Sequence, residues 1–554
     1  MNFKRKALAL LMASSALTFT AYADDIKEND IQKQAVEKNI AADDVKDLIV
    51  SDISSLLSYQ NQVTVGNVKV DNSRNISASN LLIISKDKQK LNMSINQLEI
   101  QGLDANGTVD GDFKASIEGL SITNLPTAVA ESEIVPVDDK DEAIAGAANN
   151  DDLNGTLLNI LGEGIYNISI KYDYDKKHLS LDINSTNNKH KFISAKIDFD
   201  NVDLYGVKVK DLGDELPKAI SESNLGDFKI TADFSDVIKR STEQLLGKYK
   251  NYPSFVFNAS FDKDSRDLKI YANGKLAGKD FLKYYFLAKD VNLPDVSVKE
   301  IPDDYVDALK VAYIDKSSSL VDVNFEFSRK DFPKDSKVQS VFDFTKKDNI
   351  QFKLHSDQEY SSSKFNSNAS FSGQGLASLS GNSVGVVDGN LELLPYLGLI
   401  SETEKNSLYN CKNRLCIKSF KIKFENKGLL QEVAKLLNPD PNTPASQALA
   451  SYGALAQLLA VQQKDQFVRK VLSSVAIFLQ NPQSISIEAT AKKPVNQNVA
   501  IKMMLEDANK LQEANNISDK GVKVSEKQPS LKFFGNVDKI FDINFLVNGS
   551  KTNV

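Results

Sequence analysis

The chain has 554 residues, a formal net charge of −7, 41% hydrophobic and 8% aromatic residues, no tryptophan and two cysteines. Acidic charge spread thinly along the sequence excludes nucleic acid as a partner, because releasing counterions from phosphates requires a concentrated basic face. This much chain at this hydrophobic content fills two or three cores rather than one.

In chain order, the first 23 residues read as a secretory signal peptide. Lys4-Arg5-Lys6 form the basic region, Ala7 to Phe19 the apolar region, and Ala21-Tyr22-Ala23 the small-residue cleavage site. Cleavage after Ala23 places the working protein in the periplasm, with outer-membrane association or release outside the cell left open. No cysteine follows the apolar run to carry a lipid anchor, and the run is too short for a transmembrane span. Loss of Lys4, Arg5 and Lys6 takes the charge to about −10.

Residues 24–130 predict an N-terminal helix and then a β-rich region. Val45, Leu48, Ile49, Ile53, Leu56 and Leu57 recur at helical spacing within Ala41 to Leu57. From Val63 the period changes to two, as in Leu91, Met93, Ile95 and Phe113, Ala115, Ile117. Asn106-Gly107 is a hairpin-turn signal. Residues 131–152, acidic and rich in Ala and Asn, read as a linker or loop. Residues 153–315 form a first β-rich repeat with a helix, and 316–510 a second; 511–554 read as a polar linker and a C-terminal strand. Alternations such as Tyr166, Ile168, Ile170, Tyr172 leave one face wet, the habit of antiparallel sheet.

The repeat is weak but ordered. Phe228-Lys229-Ile230 matches Phe420-Lys421-Ile422, the helical positions Val237, Ile238 and Leu245 match Leu429, Leu430 and Leu437, and Ser254 to Ser260 matches Ser484 to Thr490. The second copy carries an insertion, 443–481, with the pattern of a helical hairpin. Thr443-Pro444 starts it, Ala448, Tyr452, Leu455 and Leu459 form one stripe, and Val468, Val471, Val475 and Phe478 form another. Two such stripes are expected to pack on each other. A membrane-surface role is the alternative, since Ala450 to Val461 lacks charge.

Cys411 and Cys416 are expected to close a small structural disulfide just before the strand Ile417 to Phe424. Zinc is disfavoured because only His178, His190 and His355, all distant in sequence, could complete its ligand set. Other sequence patterns imitate chemistry and fail. Gly381-Asn382-Ser383-Val384-Gly385 spells a nucleophile elbow, yet no histidine follows His355 to serve as base. Ser361 to Lys364 lacks a K-T-G partner, and Gly274 to Asp280 is one residue short of a phosphate loop. Asp262 to Asp267 and Asp104 to Asp112 read as acidic turns and not as calcium loops. The expected catalytic, cofactor and metal sets are therefore empty.

The stretch Phe420 to Leu437, followed by Phe478-Leu479-Gln480-Asn481-Pro482-Gln483-Ser484-Ile485-Ser486-Ile487, resembles exported Gram-negative envelope proteins of unknown function, the YdgA-like group. The resemblance implies a periplasmic β-rich fold. The strand-helix duplication is also similar to AsmA-like sheets and to rolled-sheet lipid-binding proteins.

The expected fold class is α+β: mainly antiparallel sheet, curved and partly duplicated, packed on a few amphipathic helices. The expected function is a non-enzymatic envelope protein that binds an amphiphile or lipid in a groove between sheet and helices. Two alternatives stay open, a structural or protein-interaction role in the periplasm and a carboxylate-dependent hydrolase.

Overall fold

The computed structural model describes residues 61–64, 66–70, 75–85, 92–102, 109–123, 164–187, 190–207, 212–235, 238–239, 252–295, 312–332, 339–396, 407–437, 443–463, 466–519 and 534–552. The leader with Ala21 and Ala23, the helix Ala41 to Leu57, the Asn106-Gly107 turn and the linker 131–152 lie outside these residues. Contacts gather the chain into two units. The first runs to residue 237 and adds 256–264 and 293–303, and the second holds the remainder. The stretch 153–315 therefore contributes to both.

The first unit comprises β1 (Asn61–Thr64), β2 (Val68–Val70), β3 (Ile76–Ser85), β4 (Asn92–Gln101), β5 (Phe113–Thr123), β6 (Ile165–Asp173), β7 (His178–Asn187), β8 (His190–Asp200), helix α1 (Leu212–Glu222), β9 (Asn224–Asp233) and most of β10 (Ser254–Asp262). Each strand from β3 to β10 pairs antiparallel with the next, and β1 and β2 share the outer edge of β3. Alternation decides what is buried. Ile168, Ile170, Tyr172, Leu179 and Leu181 point to one side, where Leu216 and Ile220 of α1 join them. A bulge between Ile117 and Leu120 keeps both residues in that core. It is turned by Gly119 at φ 68°, a left-handed conformation that suits a residue without a β-carbon.

The second unit comprises β11 (Asp267–Leu276), β12 (Lys279–Lys289), β13 (Tyr313–Ile314), β14 (Lys316–Ser328), α2 (Gln339–Thr345), β15 (Asn349–Ser361), β16 (Lys364–Gly373), β17 (Ala377–Val386), β18 (Leu391–Glu392), β19 (Cys416–Asn426), α3 (Leu429–Leu437), α4 (Ala445–Gln462), α5 (Gln466–Gln480), β20 (Ser484–Asn496), α6 (Gln497–Asp519), β21 (Phe541–Val547) and β22 (Ser550–Lys551). Its ladder runs β11-β12-β14-β15-β16-β17-β19-β20-β21-β22, antiparallel throughout, with β13 and β18 paired separately. The class is α+β with antiparallel sheet dominant, as the alternation predicts. No helix among the described residues is long and apolar enough to cross a membrane.

Both matched segments form antiparallel strand pairs, β9 with β10 and β19 with β20. Phe228 sits opposite Phe261 and Phe420 opposite Ala489. Relative to the sequence match the two registers differ by two residues, a slip that preserves the faces because side chains alternate with period two. Val237 and Leu245 of the first copy's helix lie outside the described residues.

The insertion is a helical hairpin, α4 and α5, but its seam differs from the expected one. Leu449, Gly453 and Ala460 of α4 are buried, as are Ser473 and Ala476 of α5, whereas Tyr452, Leu455 and Leu459 of the first anticipated stripe face outward and Phe478 of the second is buried against Phe424 of the sheet. Only Ala448 of the first stripe is buried, against α3. The reason is steric. A β-carbon on Gly453 would lie 2.9 Å from the Ala476 carbonyl oxygen, so the closest approach belongs to the small residues.

Candidate functional site

Register sorts the side chains of the second unit's sheet into rows. On one face Leu282, Val323, Leu354, Phe371, Leu379 and Phe424 follow one another across six adjacent strands. Val323 is buried, yet Leu354, Phe371 and Leu379 in the middle of the row remain 37%, 44% and 45% exposed. Ile422 and Phe325, from the flanking rows of the same face, are exposed as well. An apolar stripe thus crosses β14 to β19 with water on it. Sheets in folded domains ordinarily cover such a row.

The borders of the stripe are built from aromatic contacts. Toward one end of the strands Tyr396 packs on Phe286 and Phe365, with ring centroids 5.8 and 6.2 Å apart. Toward the other end Phe332 packs against Phe327 and Phe342. At the side Phe478 of α5 meets Phe424 edge-on at 6.0 Å. Within the stripe Phe352 stacks on Phe371.

The same face carries a polar row four residues along the strands. Ser319, Gln358, Ser367 and Ser383 are neighbours in register, all half-buried, at roughly 13 Å from the Leu354 row. One face therefore offers apolar contact and, beyond it, hydroxyl and amide groups. Ser383 belongs to this row. It lies mid-strand in β17, opposite Ser367 and Phe420, so the elbow spelling does not correspond to an elbow.

The opposite face of this sheet is polar. His355 Nδ1 lies 2.6 Å from Asp322 Oδ1, and its Nε2 lies 3.2 Å from Asp357 Oδ1. Asn368 donates to Asp357 and Asn382 donates to Asn368, each at 2.8 Å, which extends the chain across four strands beside a shallow hollow of about 280 Å³. The hydrogen bond to Asp322 raises the His355 imidazole above its ordinary pKa.

A larger hollow, about 720 Å³, lies on the polar face of the first unit's sheet. Lys114, Lys171, Ser180 and Asp198 form one register row there. His178 Nδ1 lies 2.9 Å from Asp200 Oδ1, and Lys263 Nζ donates to Asp200 Oδ2 at 2.8 Å. Burial pushes the Asp200 carboxyl up, but the hydrogen bonds from Lys263 and His178 outweigh it and hold the group below the usual carboxylate range. Asp173, Asp280 and Glu425 are likewise lowered, chiefly by hydrogen bonds from Lys176, Lys283 and Lys423. A general acid needs the opposite shift, so these carboxylates give the hydrolase alternative no support.

The remaining sequence candidates fall on turns and loops. Ser362 and Ser363 both take positive φ in the β15–β16 turn, and Ala277 and Gly278 do the same between β11 and β12. Residues 263–266 form a turn in which Arg266 has φ 55°, and the Lys263 N–H donates to Asp227. No group of three or more His, Cys, Asp or Glu side chains able to hold a metal occurs among the described residues. Cys411 and Cys416 are bonded to each other. Their loop is fixed by Arg414, buried and 2.8 Å from Glu392, and by a bridge between Asp388 and Lys412.

The exposed row is the feature that sequence reasoning did not find. Its only trace is the thin, even spacing of Phe352, Leu354, Phe365, Phe371 and Leu379 among Ser, Asn and Gly, a pattern shared by any half-buried strand.

A family model described only as an uncharacterized protein matches residues 379–520, about a quarter of the chain. The matched segment holds part of the stripe, the disulfide loop and the helical hairpin. No curated protein matches the chain.

Proposed function

We propose that the chain is a non-enzymatic binding protein of the cell envelope that takes the apolar chain of an amphiphile along Leu354, Phe371 and Leu379. The observation that carries this reading is the exposure of those three side chains in one register row, between buried Val323 on one side and half-buried Phe424 on the other. Water on such a row costs about 25 cal/mol for each Å² of apolar surface, which an acyl or comparable chain would recover. The polar row Ser319, Gln358, Ser367 and Ser383 supplies hydrogen-bonding groups for the other end of the ligand. The basic, apolar and small-residue order of residues 1–23 and the disulfide are consistent with an exported chain in an oxidising compartment.

Two measurements test the proposal. Native extraction followed by lipid mass spectrometry should return a bound amphiphile, and a fluorescent fatty acid should be displaced from the wild-type chain and fail to bind Phe371→Asp. A chain that comes out empty and binds no probe would overturn it. Fractionation should find a cleaved N-terminus outside the cytoplasm; an uncleaved cytosolic chain with free thiols would remove the envelope assignment.

A further inference from the structure

We infer that the outer face of the α4–α5 hairpin docks on a lipid bilayer. α4 turns small residues toward α5 and several of its leucines outward, whereas α5 buries Phe478 and half-buries Val471 and Val475. Beside Leu449, the small residues Gly453 and Ala460 fill the seam, and Leu455, Leu458 and Val461 are 53%, 58% and 72% exposed. At 100° per residue, Tyr452, Leu455, Leu458 and Leu459 occupy an arc of about 120° on the side away from that seam. Small residues between helices and large aliphatic ones outside are the arrangement of helices whose surroundings are hydrocarbon, because lipid offers no penalty for an exposed leucine.

The composition of α4 points to lipid over a protein partner. No residue from Pro444 to Gln463 is charged, so the face carries nothing that would fix the register of a protein docking there. A bilayer needs no register. The hairpin tip adds a charge of the sign that headgroup phosphates require. Arg469, exposed at the start of α5, donates through Nε and Nη2 to the Gln463 carbonyl, and no carboxylate pairs with it among the described residues. Val461, two residues before Gln463, and Val468, next to Arg469 in the chain, are also exposed. Leu436 and Leu437, at the end of α3, add exposed apolar surface before the hairpin begins. The helix would lie in the interface with its leucines a few ångströms below the headgroups, as interfacial helices do.

This inference is independent of the sheet stripe, and the test keeps the two apart. The chain as it accumulates in its cells, with its N-terminus fixed by mass spectrometry, is floated with vesicles of phosphatidylethanolamine and phosphatidylglycerol, and separately with phosphatidylcholine alone. The wild-type chain should float with both, since the apolar face and not net charge carries the binding. Leu455→Asp/Leu458→Asp should lose vesicle partitioning by at least about tenfold, since two leucine side chains no longer enter the hydrocarbon, while still binding the fluorescent fatty acid. Phe371→Asp should do the reverse. Because the chain has no tryptophan, Leu458→Trp provides a single reporter, and its emission should move to shorter wavelength when vesicles are added, a readout that does not depend on a destabilised variant. A chain that stays at the bottom of the gradient with an unshifted reporter would overturn the inference. So would sedimentation showing that this face instead joins two copies of the chain and that no vesicles bind.

Discussion

Gly453 of α4 lies against the Ala476 carbonyl of α5 so closely that a β-carbon would sit 2.9 Å from the oxygen. Backbone at that distance has no flexible end to move aside, so the two helices must separate to admit any side chain. Gly453→Val should therefore destabilise the hairpin by about 1–3 kcal/mol, the usual cost of overpacking. Hydrogen exchange of α4 and α5 would show it as faster exchange in both helices; unchanged protection would mean that the seam is looser than its geometry.

A covered and an uncovered aromatic residue of this face should respond differently to the same truncation. Phe286 is 1% exposed under Tyr396, and Phe286→Ala is expected to cost about 3–5 kcal/mol. Phe371, 44% exposed, should lose well under half of that. Urea midpoints of the two variants measure the contrast. Equal losses would mean that the stripe is covered in solution.

Arg414 and Glu392 form a buried ion pair beside the disulfide. Arg414→Leu leaves a buried carboxylate without its cation and should cost about 3–5 kcal/mol, whereas Arg414→Leu/Glu392→Leu should recover much of the loss. A double variant no better than the single one would show that the arginine acts through packing alone.

His355 is raised above its ordinary value by its hydrogen bond to Asp322. A raised folded-state pKa contributes stability that is complete below the unfolded value of about 6.5 and is lost as pH rises through the folded value. The imidazole is largely exposed, so solvent screens the pair and the effect on unfolding is small. The titration itself is the sharper readout. Proton resonances of His355 should titrate above pH 6.5, and Asp322→Asn should bring the midpoint down; a wild-type midpoint at or below that pH would refute the assignment.

What the sequence determined by itself follows from periodicity and local chemistry. Alternation at Tyr166, Ile168, Ile170 and Tyr172 was enough to place antiparallel sheet, because a period of two fixes one face in the core whatever lies above it. The loop from Cys411 to Cys416 was legible from the spacing of the chain's two cysteines. The existence of the helical hairpin could also be read, but α4 is uncharged and carries apolar residues on every side, so no period distinguished its inner face from its outer one. Tertiary structure decided that point through the contact of Gly453 with Ala476. It also decided that Leu354, Phe371 and Leu379 go uncovered while Val323 and Val547 in the same row are buried. Burial of a strand residue depends on what packs above it, and those elements come from distant parts of the chain that no local pattern describes.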